Sequence, residues 1–67
     1  MTINLNQQPI ELKEQSTLFD LLMQLNMTEQ KGIAVAVNQM VISKSKWNET
    51  ILLLNDNITL IKAAQGG

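Results

Sequence analysis

The chain has 67 residues, 45% hydrophobic and 16% charged, and five lysines against six acidic residues leave a net charge of -1. That length predicts one domain, over 1–67. No apolar run approaches the ~18 residues of a membrane helix, and no basic stretch followed by an apolar one marks a signal peptide. The balanced charge speaks against a nucleic-acid binder, which carries a basic patch. Cys, His, Arg and Tyr are absent. The chain therefore has no thiolate, disulfide or thiolate-bound metal, and it lacks the commonest general base and metal ligand. So small a body has little room to enclose a substrate pocket of ~300 Å³ or more. These exclusions point away from an autonomous enzyme.

Thr2 to Asn6 alternates polar and apolar, with Ile3 and Leu5 on one side, and predicts a half-buried strand. A second alternating run, Ile10 to Lys13, follows the polar gap Gln7-Gln8, so the two read as a hairpin. The gap lacks Asn-Gly chemistry and leaves the turn type open. Pro9 stands at the start of the second strand, where a missing N–H is tolerated. At Ser16 the period changes. Leu18, Leu22 and Leu25, with Leu21 beside them, form a helical apolar stripe. Thr17 and Asp20 have capping-box spacing, Phe19 and Met23 flank the stripe as half-exposed residues, and Asn26 is a suitable C-terminal stop.

Met27 to Gly32 is a polar connection. Ile33-Ala34-Val35-Ala36-Val37 is an apolar, β-branched run expected as a central strand. Asn38-Gln39 turns the chain into Met40-Val41-Ile42. Ser43 to Thr50 is polar except for Trp47 and reads as a short helical turn. Ile51 to Leu54 is apolar again. Asn55-Asp56-Asn57 is a turn, and Ile58 to Ile61 is the last strand before Lys62-Ala63-Ala64-Gln65-Gly66-Gly67. One amphipathic helix on one face of a sheet is the minimal two-layer solution for this order. A right-handed crossover makes a later strand parallel to an earlier one. The expected fold is α+β: a β-grasp, with a mixed sheet of four to five strands on one main helix and a flexible Gly-Gly tail.

Chemistry is sparse elsewhere, which directs attention to Gly66-Gly67. Two readings are open: a frayed end, or a tail that threads a narrow channel because it has no Cβ to obstruct it. Ala63 to Gly67 extended reaches roughly 17 Å. A terminal carboxylate has a pKa of about 3.3–3.7 and is ionised at neutral pH. It becomes an acyl donor only after activation, such as adenylation. The chain has no phosphate-binding Gly-rich loop, so a partner must supply that chemistry. Trp47 is read either as a partner anchor or as a cover for the core edge with its N–H at the surface. Ile61 and Ala63, out of phase with Ile58 and Leu60, form an apolar docking patch on the open sheet face or pack under a neighbouring segment. Lys62 is a solvated lysine or steers the tail toward an acidic partner. Glu11 and Glu14 are solvated strand positions. Met23, Met27 and Met40 are gap-fillers.

Val35-Ala36-Val37-Asn38, Trp47 after a polar stretch, Asp56-Asn57-Ile58-Thr59-Leu60-Ile61 and the final Gly66-Gly67 resemble the ThiS-type sulfur carriers of thiamine biosynthesis, a ubiquitin-like β-grasp family. The Thr17-capped helix with Leu21-Leu22 fits as well, so the resemblance covers essentially the whole chain. It departs from the family pattern at Ser43-Lys44, often Pro-Arg, at Asn55-Asp56, often Gly-Asp, and at Ala64, often a larger aliphatic residue. The resemblance implies a cytoplasmic carrier rather than an enzyme. An E1-like adenylating enzyme would use ATP to activate the Gly67 carboxylate, a cysteine desulfurase or other persulfide donor would supply sulfur, and thiazole synthase would accept it from a Gly67 thiocarboxylate. Ala64, Gln65 and Gly66 would be the recognised tail, and the carrier itself would bind no cofactor. Two alternatives remain: a carrier of another pathway, such as the small subunit of molybdopterin synthase, and a non-catalytic β-grasp module for interaction or conjugation.

Overall fold

A computed structural model describes residues 1–29 and 31–62. Strands β1 (Thr2–Leu5) and β2 (Gln8–Glu11) form the first hairpin, and helix α1 (Leu18–Gln24) follows. Strands β3 (Ile33–Val37) and β4 (Met40–Ile42) form the second hairpin. A 3₁₀ helix, Lys44–Glu49, then leads through a loop to β5 (Asn57–Lys62). The five strands make one mixed sheet in the order β2-β1-β5-β3-β4. β5, last in the chain, is the central strand: parallel to β1 and antiparallel to β3. The expected β-grasp topology is therefore present, with five strands.

The first hairpin differs from the expectation by a residue or two. Leu5 pairs with Gln8, so the loop is Asn6-Gln7 and β2 begins at Gln8. Both loop residues have positive φ, 48° and 69°, which a type I′ turn requires. Asn38-Gln39 repeats the device between Val37 and Met40, with φ of 50° and 72°. Pro9 lies within β2, an edge strand. Met1 and Leu12 exchange both backbone bonds, at 2.7 and 2.8 Å. Antiparallel pairs alternate, so Asn4–Pro9 is a non-hydrogen-bonded pair and the missing proline N–H leaves the ladder intact. Glu14 lies beyond β2 rather than in a strand. It and Glu11 approach the Met1 ammonium at 3.4 and 3.6 Å.

Both caps of α1 were encoded locally. Thr17 Oγ1 accepts from the Asp20 N–H at 3.1 Å, and Asp20 Oδ2 accepts from the Thr17 N–H at 2.9 Å. This reciprocal pair satisfies two otherwise orphaned donors. At the other end Asn26 has φ 59°. The Met27 N–H donates to the Leu22 carbonyl at 2.8 Å and the Asn26 N–H to the Met23 carbonyl at 3.0 Å. Those two bonds make a Schellman ending, with Asn in the place glycine usually takes.

Leu18, Leu21 and Leu22 of α1 pack on Ile3, Val35 and Ile58 of the sheet, and Leu12, Trp47 and Leu52 complete the buried core. Leu25 and Phe19 lie half-buried at its margin. Burying each large aliphatic side chain stabilises the fold by roughly 1.5–3 kcal/mol. Of the apolar run 51–54 only Leu52 is buried; Ile51, Leu53 and Leu54 face outward. A single bridge, Thr17 with Ile51, ties this segment to the start of α1. No described helix is long and apolar enough to cross a membrane.

Candidate functional site

The site is built on the open face of the sheet and on the end at which β5 finishes. Along β3, Val35 is buried against α1, whereas Ala34 is exposed on the opposite face. Along β5, Ile58 is buried and Ile61 is 58% exposed. The β3–β5 register sets Ala34 directly opposite Ile61 and Ala36 opposite Thr59; the β3–β4 register sets Ala36 opposite Val41. Ala34, Val41 and Ile61 thus form an apolar strip on the open face. The expected outward phase of Ile61 is what the strand adopts. Its expected companions Ala63, Ala64, Gln65, Gly66 and Gly67 lie outside the described residues. Lys62 closes β5, exposed and paired with Ile33.

Trp47 is a core residue, 3% exposed. Its indole N–H is not at the surface: it donates to the Ile42 carbonyl at 3.1 Å. A buried Trp N–H needs such a partner, and burial removes Trp47 from the surface anchors considered above. The 3₁₀ geometry stacks positions three apart, and Lys44 Nζ lies 5.9 Å from the Trp47 ring centroid.

Two depressions stand out among the described residues. The larger, about 560 Å³, is lined by amides and hydroxyls, among them Asn4, Asn38, Asn57 and Thr59. Two of its asparagines are committed to hydrogen bonds within the fold. Asn6 Oδ1 accepts from the Leu60 N–H at 2.9 Å while its Nδ2 donates to the Leu60 carbonyl at 3.2 Å. Asn38 Oδ1 accepts from the Asn57 N–H at 2.9 Å while its Nδ2 donates to Asp56 Oδ1 at 2.9 Å. The depression offers no acid, base or nucleophile stronger than a hydroxyl. The smaller, about 360 Å³, lies at the other end of the sheet between Lys31 and Lys44. No group of three potential metal ligands occurs among the described residues. Nothing in the sequence pattern signalled the second depression, because it depends on where the 3₁₀ helix returns against β3 and β4.

Among the described residues this arrangement presents an apolar surface and a strand end. Residues 3–67 match the ThiS family model. The sulfur carrier protein ThiS of Escherichia coli is 33% identical over 67 residues, spanning all of both chains. The chain belongs to the ThiS family. Members of that family are carrier proteins rather than enzymes, and this ThiS-family chain is accordingly a carrier. The ThiS-family fold is seen again in the crystal structure of a thiamine biosynthesis protein from Geobacter metallireducens. It superposes with a TM-score of 0.84 at 20% identity, covering all of both chains. SAMP1 from Haloferax volcanii shares the fold at a TM-score of 0.64 and 14% identity, over 98% of this chain and 97% of that one.

Proposed function

We propose that this chain carries sulfur for the thiazole ring of thiamine as a thiocarboxylate on Gly67. The identity to a sulfur carrier across the full length of both chains carries the reading. The position of β5 supports it. A strand clamped between β1 and β3 gives the residues after Lys62 a fixed point of departure.

In the proposed cycle a Gly67 carboxylate oxygen attacks the α-phosphorus of ATP on an E1-like activating enzyme, and pyrophosphate leaves. The terminal sulfur of a persulfide, supplied by a cysteine desulfurase or another donor, attacks the acyl carbon and AMP leaves. A partner thiol then cleaves the acyl disulfide, departing as a disulfide and releasing the thiocarboxylate. Thiazole synthase accepts the sulfur. Ala64, Gln65 and Gly66 are the residues that a narrow partner channel recognises, with glycine admitting the closest approach. Ile61, Ala63 and Lys62 provide the adjoining docking surface. The work is divided between a folded single domain that is recognised and an arm that carries the group. The chain holds no cofactor, and consumption of ATP by a partner suits a cytoplasmic setting.

The test is intact-mass analysis after incubation with ATP, the activating enzyme and a persulfide donor. A gain equal to one oxygen replaced by sulfur, lost on deletion of Gly67, is expected. No gain, under conditions that modify the Escherichia coli carrier, rejects the reading. Rescue of a thiamine auxotroph but not of a molybdenum-cofactor mutant distinguishes the pathway.

A further inference from the structure

The smaller depression has properties that the carrier chemistry alone does not require. Its lining brings together Ala34 and Val41 from the open face, Ile33 and Trp47 from the core side, and the lysines Lys31 and Lys44. Val41 is 73% exposed. Ala34 and Val41 belong also to the apolar strip that includes Ile61, so the groove opens onto the face from which β5 delivers its end.

Charge along the sheet is segregated. Lys31, Lys44 and Lys62 make no ion pair among the described residues, where the pairs found are Met1 with Glu11 and Glu14, and Lys46 with Glu49. Lys62 pairs with Ile33 of the groove's lining. Glu11 pairs with Thr2, whose carbonyl accepts from the Asn55 N–H. Seven residue positions therefore separate Glu11 from Lys62 along the strand direction, about 23 Å at ~3.3 Å per residue. That exceeds the ~8–10 Å screening length of physiological salt, so Glu11 does not neutralise Lys31, Lys44 and Lys62; the exposed acid nearest them in the chain is Glu29, two residues before Lys31. Lys44 is held over Trp47 at 5.9 Å, a contact that limits its freedom while leaving the ammonium at the groove.

We propose that this groove docks an apolar side chain flanked by carboxylates on the activating enzyme. The inference rests on the reading of the chain as an adenylated carrier and adds the recognition element that reading lacks. The apolar lining takes the aliphatic or aromatic side chain, and Lys31 and Lys44 pair with the flanking acids. Carboxylates suit the site because an apolar surface alone would not need the lysines, and basic partners are repelled by them.

The experiment is ATP–pyrophosphate exchange by the activating enzyme with the intact carrier, varied in concentration. The double variant Lys31→Glu/Lys44→Glu is expected to raise the carrier KM by roughly tenfold or more, with kcat within about twofold, and to abolish the rise of KM with salt. Lys31→Arg/Lys44→Arg keeps wild-type KM. Lys13→Glu, at the far end, is the charge control and leaves KM unchanged. Thermal unfolding by circular dichroism verifies the fold, and Lys31→Gln/Lys44→Gln replaces the glutamate pair if that variant unfolds. An unchanged KM in the folded variant, or a loss confined to kcat, overturns the docking inference and leaves the carrier reading standing. No exchange with the wild-type chain overturns both.

Discussion

Asn6 and Asn38 hold opposite flanks of β5 in the same way. Each is the first residue of a two-residue Asn-Gln loop, each has a positive φ near 50°, and each turns its side-chain amide onto the backbone of β5. Asn6 does so from the β1 side at Leu60, and Asn38 from the β3 side at Asn57. A single residue type thus forms the turn and extends the strand's hydrogen bonding by one peptide-like group. The central strand, which leads toward the proposed thiocarboxylate end, is pinned from both sides.

Replacing Asn38 by alanine removes two hydrogen bonds and forces a Cβ-bearing residue with no polar compensation into the left-handed region. Losses of about 1 kcal/mol per bond and ~1 kcal/mol for the backbone give roughly 2–3 kcal/mol of destabilisation. Asn38→Gly relieves the backbone cost and retains about 1–2 kcal/mol of the loss. Urea unfolding of the pair separates the two contributions. Equal stability of Asn38→Gly and wild type means that the amide clamp contributes nothing.

Those two loops also mark where sequence reasoning stops. Local signals carried the helix fully: the 3–4 spacing of the leucines, the Thr17–Asp20 box and the Asn26 stop all reappear as contacts. The hairpins were legible as hairpins, but the first turn was not, because Asn-Gln is a weak substitute for Asn-Gly and Gln7-Gln8 looked equally polar. The outward phase of Ile61 followed from alternation. The Lys31–Lys44 groove did not, since its walls come from three segments whose meeting depends on register and on the Trp47 anchor. The central place of β5 likewise depends on long-range pairing that no window of sequence contains.

Trp47 is predicted to be a stability residue. Trp47→Ala opens a core cavity and is expected to cost about 3–5 kcal/mol, enough to unfold much of a domain this small. Trp47→Phe keeps most of the packing but strands the Ile42 carbonyl, at a cost of about 1–3 kcal/mol. As the one tryptophan in the chain, its emission should lie to the blue in the native state and move red in urea. Red emission from the folded protein would contradict the burial.

Acid stability has an identifiable contributor in Glu11. Its carboxylate accepts from the Thr2 hydroxyl and lies 3.6 Å from the Met1 ammonium. The hydroxyl first, and the positive charge second, hold its pKa below the ordinary 4.5. A depressed folded-state pKa stabilises the native protein above the unfolded value, and that contribution is lost as pH falls through the folded one. Urea midpoints measured from pH 7 to pH 3 should therefore decline more for wild type than for Glu11→Gln. Because Glu11 is exposed, added salt should shrink the difference. Parallel declines in the two proteins would remove Glu11 as a source.

Ile61 tests the docking face directly. It is 58% exposed on a central strand, opposite Ala34, so Ile61→Asp forfeits little burial and should cost less than about 1 kcal/mol in the fold. On the proposed face the same change puts a desolvated charge against an apolar partner surface, which costs several-fold to hundredfold in affinity. Leu54 supplies the matched control. It is equally apolar and 62% exposed, but it adjoins Asn55, which bonds Thr2 at the far end of β1. Adenylation should fall at least roughly tenfold in kcat/KM for Ile61→Asp and stay within about twofold for Leu54→Asp. Equal losses would implicate solubility or net charge rather than a face. An unimpaired Ile61→Asp carrier would leave recognition to the groove and the residues after Lys62 alone.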